Sequence, residues 1–221
     1  EEDTCFHETH AVVRRVKDGG SVSGDNYSFL EMDNGQLAMI LSDGMGSGSM
    51  ACKESELVLE LLEKFLEAGF SKETALKMMN SAMVIRGEDD LYSTVDICSL
   101  DLYTGCCDMY KIGASTTFIK HRDFVERIVS SSLPVGVTHR MEIMNTKKQL
   151  EDGDFLVMVS DGVLEYLQGE DPDLAMCEIL KQAAFQHPGQ MADAVMDEVL
   201  SRTGGIVADD MTIMVCAVWR K

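Results

Sequence analysis

Aspartates dominate the chemistry this sequence can do. Leu41-Ser42-Asp43-Gly44 and Val159-Ser160-Asp161-Gly162 are two copies of one local pattern, in which an apolar run ends in Ser-Asp-Gly. A third acidic group, Ala208-Asp209-Asp210, stands just before the apolar run that starts at Met211. A fourth, Gly24-Asp25, stands just before Asn26. Carboxylates gathered at one edge of a sheet repel one another, and all stay ionised only with a cation among them. Hard oxygen ligands favour magnesium or manganese over zinc, and no histidine cluster competes for the role. Glycine after each Ser-Asp allows close backbone approach and offers its own carbonyl. Taken singly, each aspartate reads as a turn or cap residue, since Asp-Gly is common at strand ends. As a set they point to a divalent-metal hydrolase, a class in which two ions about 3.5–4 Å apart activate a bridging water.

The elements that must position them follow from hydrophobic periodicity. Strands are expected over Thr9–Val16, Asn26–Met32 and Leu37–Leu41, the last two joined by a tight Asp33-Asn34-Gly35 turn. Leu57, Leu61, Leu62, Phe65 and Leu66 share one face of a helix that ends at Ala68-Gly69. Ser71 is a plausible cap for a second helix reaching Ile85. Strands are expected again over Thr94–Asp101, Cys106–Ile112, Thr116–His121, Phe124–Val129 and Glu142–Lys148. Phe155–Val159 is apolar throughout, as in a strand buried on both faces. Helices over Leu174–Phe185 and Met191–Ser201, parted by His187-Pro188-Gly189, lead to a closing strand over Met211–Val218. This order predicts a single α+β domain over residues 1–221: an antiparallel β-sandwich with helices outside, and the aspartates at the sheet edges.

The bulk numbers exclude some classes. The chain has 221 residues and a formal net charge of -19, which argues against nucleic acid as a partner. No stretch is long and apolar enough to span a bilayer. The seven cysteines form no C-x-x-C pair and several lie in apolar runs, so reduced core thiols in a cytosolic compartment are expected. The five histidines, His7, His10, His121, His139 and His187, all fall away from the aspartate motifs. The basic residues near the motifs form no cluster; Arg86 and Lys111 are candidates to grip a phosphate once folded.

Seven short motifs run in one order along the chain. They are Ser23-Gly24-Asp25-Asn26-Tyr27-Ser28-Phe29, Ser42-Asp43-Gly44-Met45-Gly46-Ser47-Gly48, Tyr92-Ser93-Thr94-Val95-Asp96, Ile112-Gly113-Ala114-Ser115, Leu133-Pro134-Val135-Gly136, Ser160-Asp161-Gly162 and Asp209-Asp210-Met211-Thr212. Together they resemble the type 2C, metal-dependent protein serine/threonine phosphatases. Within that family, Val22-Ser23-Gly24-Asp25 with the Ser42 motif most resembles the stage II sporulation protein E branch of spore-forming bacteria. The resemblance implies an α-β-β-α sandwich with two manganese or magnesium ions between the sheet edges. Asp43 would bridge the ions, with the Gly44 carbonyl on one. Asp161 and Asp209 would complete the other site, Asp25 would act nearby through water, and Asp210 is the lesser candidate of its pair. Asp43, Asp161 and Asp209 would thereby be the catalytic set, directing in-line attack of metal-activated water on phosphoserine or phosphothreonine without a phosphoenzyme.

Two positions depart from eukaryotic members, which have Glu before the first aspartate and His in Asp-Gly-His-Gly. Here those places hold Gly24 and Met45, which implies a weaker second metal site and no side-chain acid for the leaving group. The branch implies a phosphorylated anti-sigma factor antagonist as substrate and control of a sporulation sigma factor. It also implies a cytoplasmic domain that meets a membrane only through upstream segments; a homodimer is left open. Movement of the two helices between Ser49 and Ile85, which directly follow Gly44, is expected to switch metal binding. A same-fold phosphatase of a general stress pathway and a catalytically silent phosphoprotein scaffold are the rival readings. A calcium module would need a D-x-D-x-D-G loop, and none is present.

Overall fold

The computed structural model describes residues 3–32, 34–86, 92–138, 141, 143–167, 171–183 and 186–221. Its strands form two antiparallel sheets of five. One runs β1 (Phe6–Arg15), β10 (Met211–Arg220), β9 (Phe155–Val159), β6 (Thr117–Lys120) and β7 (Val125–Ile128). The other runs β2 (Asp25–Met32), β3 (Gln36–Asp43), β4 (Val95–Asp101), β5 (Cys106–Ile112) and β8 (Met144–Gln149). Helices α1 (Ser49–Glu67) and α2 (Lys72–Arg86) cover the second sheet. Helices α4 (Pro172–Gln182) and α5 (Pro188–Arg202), with the single turn α3 (Asp161–Leu164), cover the first.

Burial explains the layering. Leu41, Met39, Met109, Ile119, Leu156, Met158 and Met214 fill the space between the sheets. The opposite faces bury Val157, Val159, Ile213 and Val215 under α4 and α5, and Ile40, Ile97 and Ile112 under α1 and α2. Strands covered on both faces are largely apolar, and β9 and most of β10 read as continuous apolar runs. The α-β-β-α sandwich expected from the order of elements is the one observed. Cys98, Cys107, Cys177 and Cys216 are buried free thiols. No helix among the described residues is long and apolar enough to cross a membrane.

Element ends depart from the sequence expectation where partners or caps decide them. The first strand begins at Phe6 rather than Thr9 because β1 pairs along its whole length with β10, from Phe6↔Arg220 to Arg15↔Met211. Helix α4 begins at Pro172, capped by Asp171, whose Oδ1 accepts from the Leu174 N–H at 3.1 Å. Helix α5 begins at Pro188, inside the expected break, since proline suits the first helical position where its missing N–H is not needed. Asp33 of the expected turn, Glu142 at the start of the eighth expected strand, Phe185 and His139 lie outside the described residues. Gly35 of that turn takes the left-handed φ of 71°.

Asp171 also meets Arg127 Nη1 at 2.9 Å, tying α4 to β7. Asp171→Ala is therefore expected to destabilise the domain by about 1 kcal/mol, chiefly through the lost cap. Thermal unfolding should register a midpoint about 2–4 °C lower for a chain this long.

Candidate metal centre

Antiparallel pairing gathers the aspartates. Asp25 opens β2 directly opposite Asp43, which ends β3. In the other sheet β10 begins where β9 ends: Ile213 pairs with Val159, and Ser160 N–H donates to the Thr212 carbonyl at 3.0 Å. Asp209 and Asp210 are thereby delivered beside Asp161. The two edges then face each other across a cavity of about 360 Å³ lined by Asp43, Gly44, Asp161 and Asp209.

The serine and glycine of each Ser-Asp-Gly have separate tasks. Ser42 Oγ contacts Ser93 Oγ at 2.8 Å and donates to the Thr94 carbonyl at 2.9 Å. Ser160 Oγ accepts from the Thr212 N–H at 2.9 Å. Each hydroxyl stitches its aspartate's backbone to the neighbouring strand. A Cβ on Gly44 would lie 2.2 Å from the Ala51 carbonyl oxygen, and one on Gly162 2.2 Å from the Asp210 carbonyl oxygen. The first turn of α1 and the start of β10 can pack this tightly only against glycine.

The electrostatics are those of crowded like charges. Burial, then the charges of Asp25 and Asp161, push the Asp43 carboxyl up to about 10. Asp25 is almost wholly buried, and burial raises it to about 6; the nearby Thr212 and Ser160 hydroxyls lower it, and the Asp210 and Asp161 charges raise it. Its Oδ2 has no hydrogen-bond partner. Both carboxyls sit where ionisation is disfavoured unless a cation joins them.

Asp209 and Asp210 diverge. Asp210 Oδ1 accepts from the Lys17 N–H at 2.9 Å and Oδ2 from the Gly24 N–H at 2.7 Å, so this carboxylate clamps the loop that leads into Asp25. Asp209 stays at the cavity, its Oδ1 4.0 Å from Lys17 Nζ. Lys17, half-exposed on the cavity wall, is a cation that the motifs do not point to. Glu165 is a further carboxylate that feels this cluster, raised by burial and then by the charges of Asp161 and Asp209. Its one signal in the sequence is a place four residues after Asp161, one helical turn away. The two basic candidates lie elsewhere: Arg86 meets Glu54 at 3.7 Å, and Lys111 is buried against Asp96. Among the histidines, His10 bonds Glu8 and stacks on Phe29, and His121 bonds Asp154.

The donor set fits a hard divalent cation. It is all oxygen, includes a buried unpartnered carboxylate oxygen and holds more negative charge than it can keep without a cation. Among the described residues no three His, Cys, Asp or Glu side chains stand close enough to hold a metal ion by themselves.

Solved structures share this architecture. The PP2C phosphatase domain of SpoIIE from Bacillus subtilis, with a fragment of its regulatory domain, superposes with a TM-score of 0.93 at 35% identity, over 99% of this chain and 65% of that one. RsbX in complex with magnesium has the same fold, with a TM-score of 0.75 at 20% identity over 99% and 98% of the two chains. Fold and site together define a PP2C-type serine phosphatase domain, a class of hydrolases. In sequence, Stage II sporulation protein E of Bacillus subtilis (strain 168) is 38% identical over 204 residues, 92% of this chain and 25% of that protein. Its counterpart in Priestia megaterium is 37% identical over 205 residues, 92% of this chain and 35% of that protein. The chain thus spans about a quarter to a third of the length of these relatives. The profile described as Stage II sporulation protein E (SpoIIE) matches residues 33–219, and the chain belongs to that family.

The raised carboxyls set a pH dependence. With folded values near 6 and 10 against an unfolded value near 3.8, the metal-free fold binds protons that the unfolded chain has released. That contribution is complete below about pH 4 and is lost as pH rises through 6 and onward. Manganese is therefore expected to raise the melting temperature more at pH 8 than at pH 5.5. Asp43→Asn should raise the metal-free melting temperature at pH 8 by a few degrees, on the order of 1 kcal/mol, and abolish the manganese response. Calorimetric melts of both proteins at the two pH values provide the check.

Proposed function

We propose that this domain is a protein serine/threonine phosphatase that hydrolyses phosphoserine on an anti-sigma factor antagonist, in control of a sporulation sigma factor. The observation that carries the reading is the meeting of Asp43, from one sheet, with Asp161 and Asp209, from the other, at a single cavity with Lys17 on its wall. Asp43 would bridge two ions, with the Gly44 carbonyl on one of them. Asp161 and Asp209 would hold the other, and Asp25 would act nearby through water. Two bound manganese or magnesium ions supply an activated water and offset the charge that develops on the phosphoryl oxygens.

The chain's own residues do the rest. The Lys17 ammonium binds a phosphoryl oxygen and orients the phosphorus, and Asp210 keeps it there by holding its backbone N–H. Gly24 supplies no side-chain ligand, so the second ion is held by fewer protein groups. Met45, exposed at the rim, has no proton to give, and the departing seryl oxygen takes its proton from solvent. The identity to the sporulation relatives, 38% against 21% for phosphoserine phosphatase RsbU, favours a sporulation role over a general stress pathway. Segments outside these residues would tether the domain to the cytoplasmic face of a membrane.

Phosphate release from a phosphoserine-bearing anti-sigma antagonist tests this directly. Manganese should support turnover and a chelator should end it. Asp161→Ala or Asp209→Ala should lower kcat on the order of 100-fold or more. Lys17→Ala should raise KM about tenfold, the weight of one charge-assisted hydrogen bond, and Lys17→Arg should restore most of it. Undiminished turnover in chelator, or in Asp161→Ala, would sink the reading.

A further inference from the structure

One buried polar group stands out in the layer between the sheets. Lys111 of β5 and Asp96 of β4 are each 2% exposed, and Thr117 of β6 is fully buried. Lys111 Nζ donates to Asp96 Oδ2 and, at 2.7 Å, to Thr117 Oγ1; the Thr117 hydroxyl in turn donates to Asp96 Oδ2. β4 and β5 belong to one sheet and β6 to the other, so the triangle spans the sandwich. Towards the middle of the sandwich the layer holds Leu41, Met109, Ile119 and Met158, all apolar.

Stability does not call for such a group. Well-packed apolar side chains in place of a buried ion pair are often as stable or more so, because desolvation offsets the attraction. What the triangle has is a place. Asp96 pairs with Leu41, two residues before Asp43 on β3. Thr117 pairs with Met158, three residues before Asp161 at the end of β9. The tie therefore joins the strand beside Asp43 to the strand beside Asp161, just inside both ends. It also faces the site: Asp96, Asp43 and Asp161 line one small cavity with room for about one water molecule. Asp96 Oδ1 is buried with no hydrogen-bond partner.

We propose that Lys111, Asp96 and Thr117 are positioning residues that set the gap between the sheets at the metal end, and with it the spacing of Asp43 and Asp161. The inference rests on the metal-centre reading above. A nonpolar layer of soft side chains tolerates small shifts between sheets, whereas a three-way hydrogen-bonded contact has one separation. Carboxylates from opposite sheets hold an ion at its required distances only if that separation is kept.

The test is manganese affinity by titration calorimetry on the whole domain, alongside thermal melts and steady-state kinetics. Thr117→Val removes only the cross-sheet hydroxyl and should weaken manganese binding about tenfold, as outer contacts of metal ligands do. It should lower kcat with KM unchanged. Thr117→Ser should restore both. Asp96→Leu with Lys111→Met should melt at or above the wild-type temperature and still bind manganese at least tenfold more weakly. A folded Thr117→Val protein with wild-type manganese affinity would overturn the proposal, whether or not the double variant folds. Wild-type protein that binds no manganese would remove the metal-centre reading and this inference with it.

Discussion

Mutual repulsion among carboxylates is the constraint around which this domain is arranged. Asp43 and Asp25 face each other on adjacent strands, and Asp161 and Asp209 approach from the opposite sheet. Left to themselves these groups disfavour the folded state, as the raised Asp43 and Asp25 carboxyls record. The stability of the fold therefore lies elsewhere, in three apolar layers between four layers of backbone. The site is a cost that the scaffold sustains and a cation relieves.

The scaffold holds the carboxylates without using them. Serine hydroxyls tie Asp43 and Asp161 to their neighbouring strands, and glycines let α1 and β10 press against the same turns. Asp210 takes the opposite part, giving both oxygens to backbone N–H groups so that its neighbour Asp209 stays at the cavity. Two adjacent aspartates of one dipeptide thus divide into a strut and a carboxylate at the cavity. The division is made at a bend just before β10, where Asp209 Oδ1 accepts from the Asp210 N–H at 2.9 Å.

Most of this was legible in the residues because the fold writes its burial into the chain. Strands covered on both faces are largely apolar, and Ser-Asp-Gly after such a strand has few uses besides a turn or a ligand. What was not legible depends on contacts that sequence neighbours do not announce. Lys17 reaches the site through a backbone held by Asp210, 193 residues away. Glu165 caps a helix of one turn, too short for periodicity to reveal. Lys111 looks like a phosphate ligand by type, yet alternation puts it on the same face as the buried Cys107 and Met109. Helix α5 starts within a His-Pro-Gly run because proline ends helices in their interior but opens them at their first position.

The place of β10 bears on how the molecule comes to be assembled. The strand nearest the C-terminal end of the chain lies between β1 and β9, and β1 has β10 as its strand partner. Until β10 inserts, the first strand has no ladder, β9 has one bare edge, and Asp209 is not beside Asp161. Contacts between residues so far apart along the chain close late and slowly, because loop entropy is lost before pairing returns anything. The acidic cluster is then assembled in the same step that completes the sheet. Pairing β2 with β3 already sets Asp25 against Asp43, but the repulsion between Asp209 and Asp161 waits for the strand that completes the sheet.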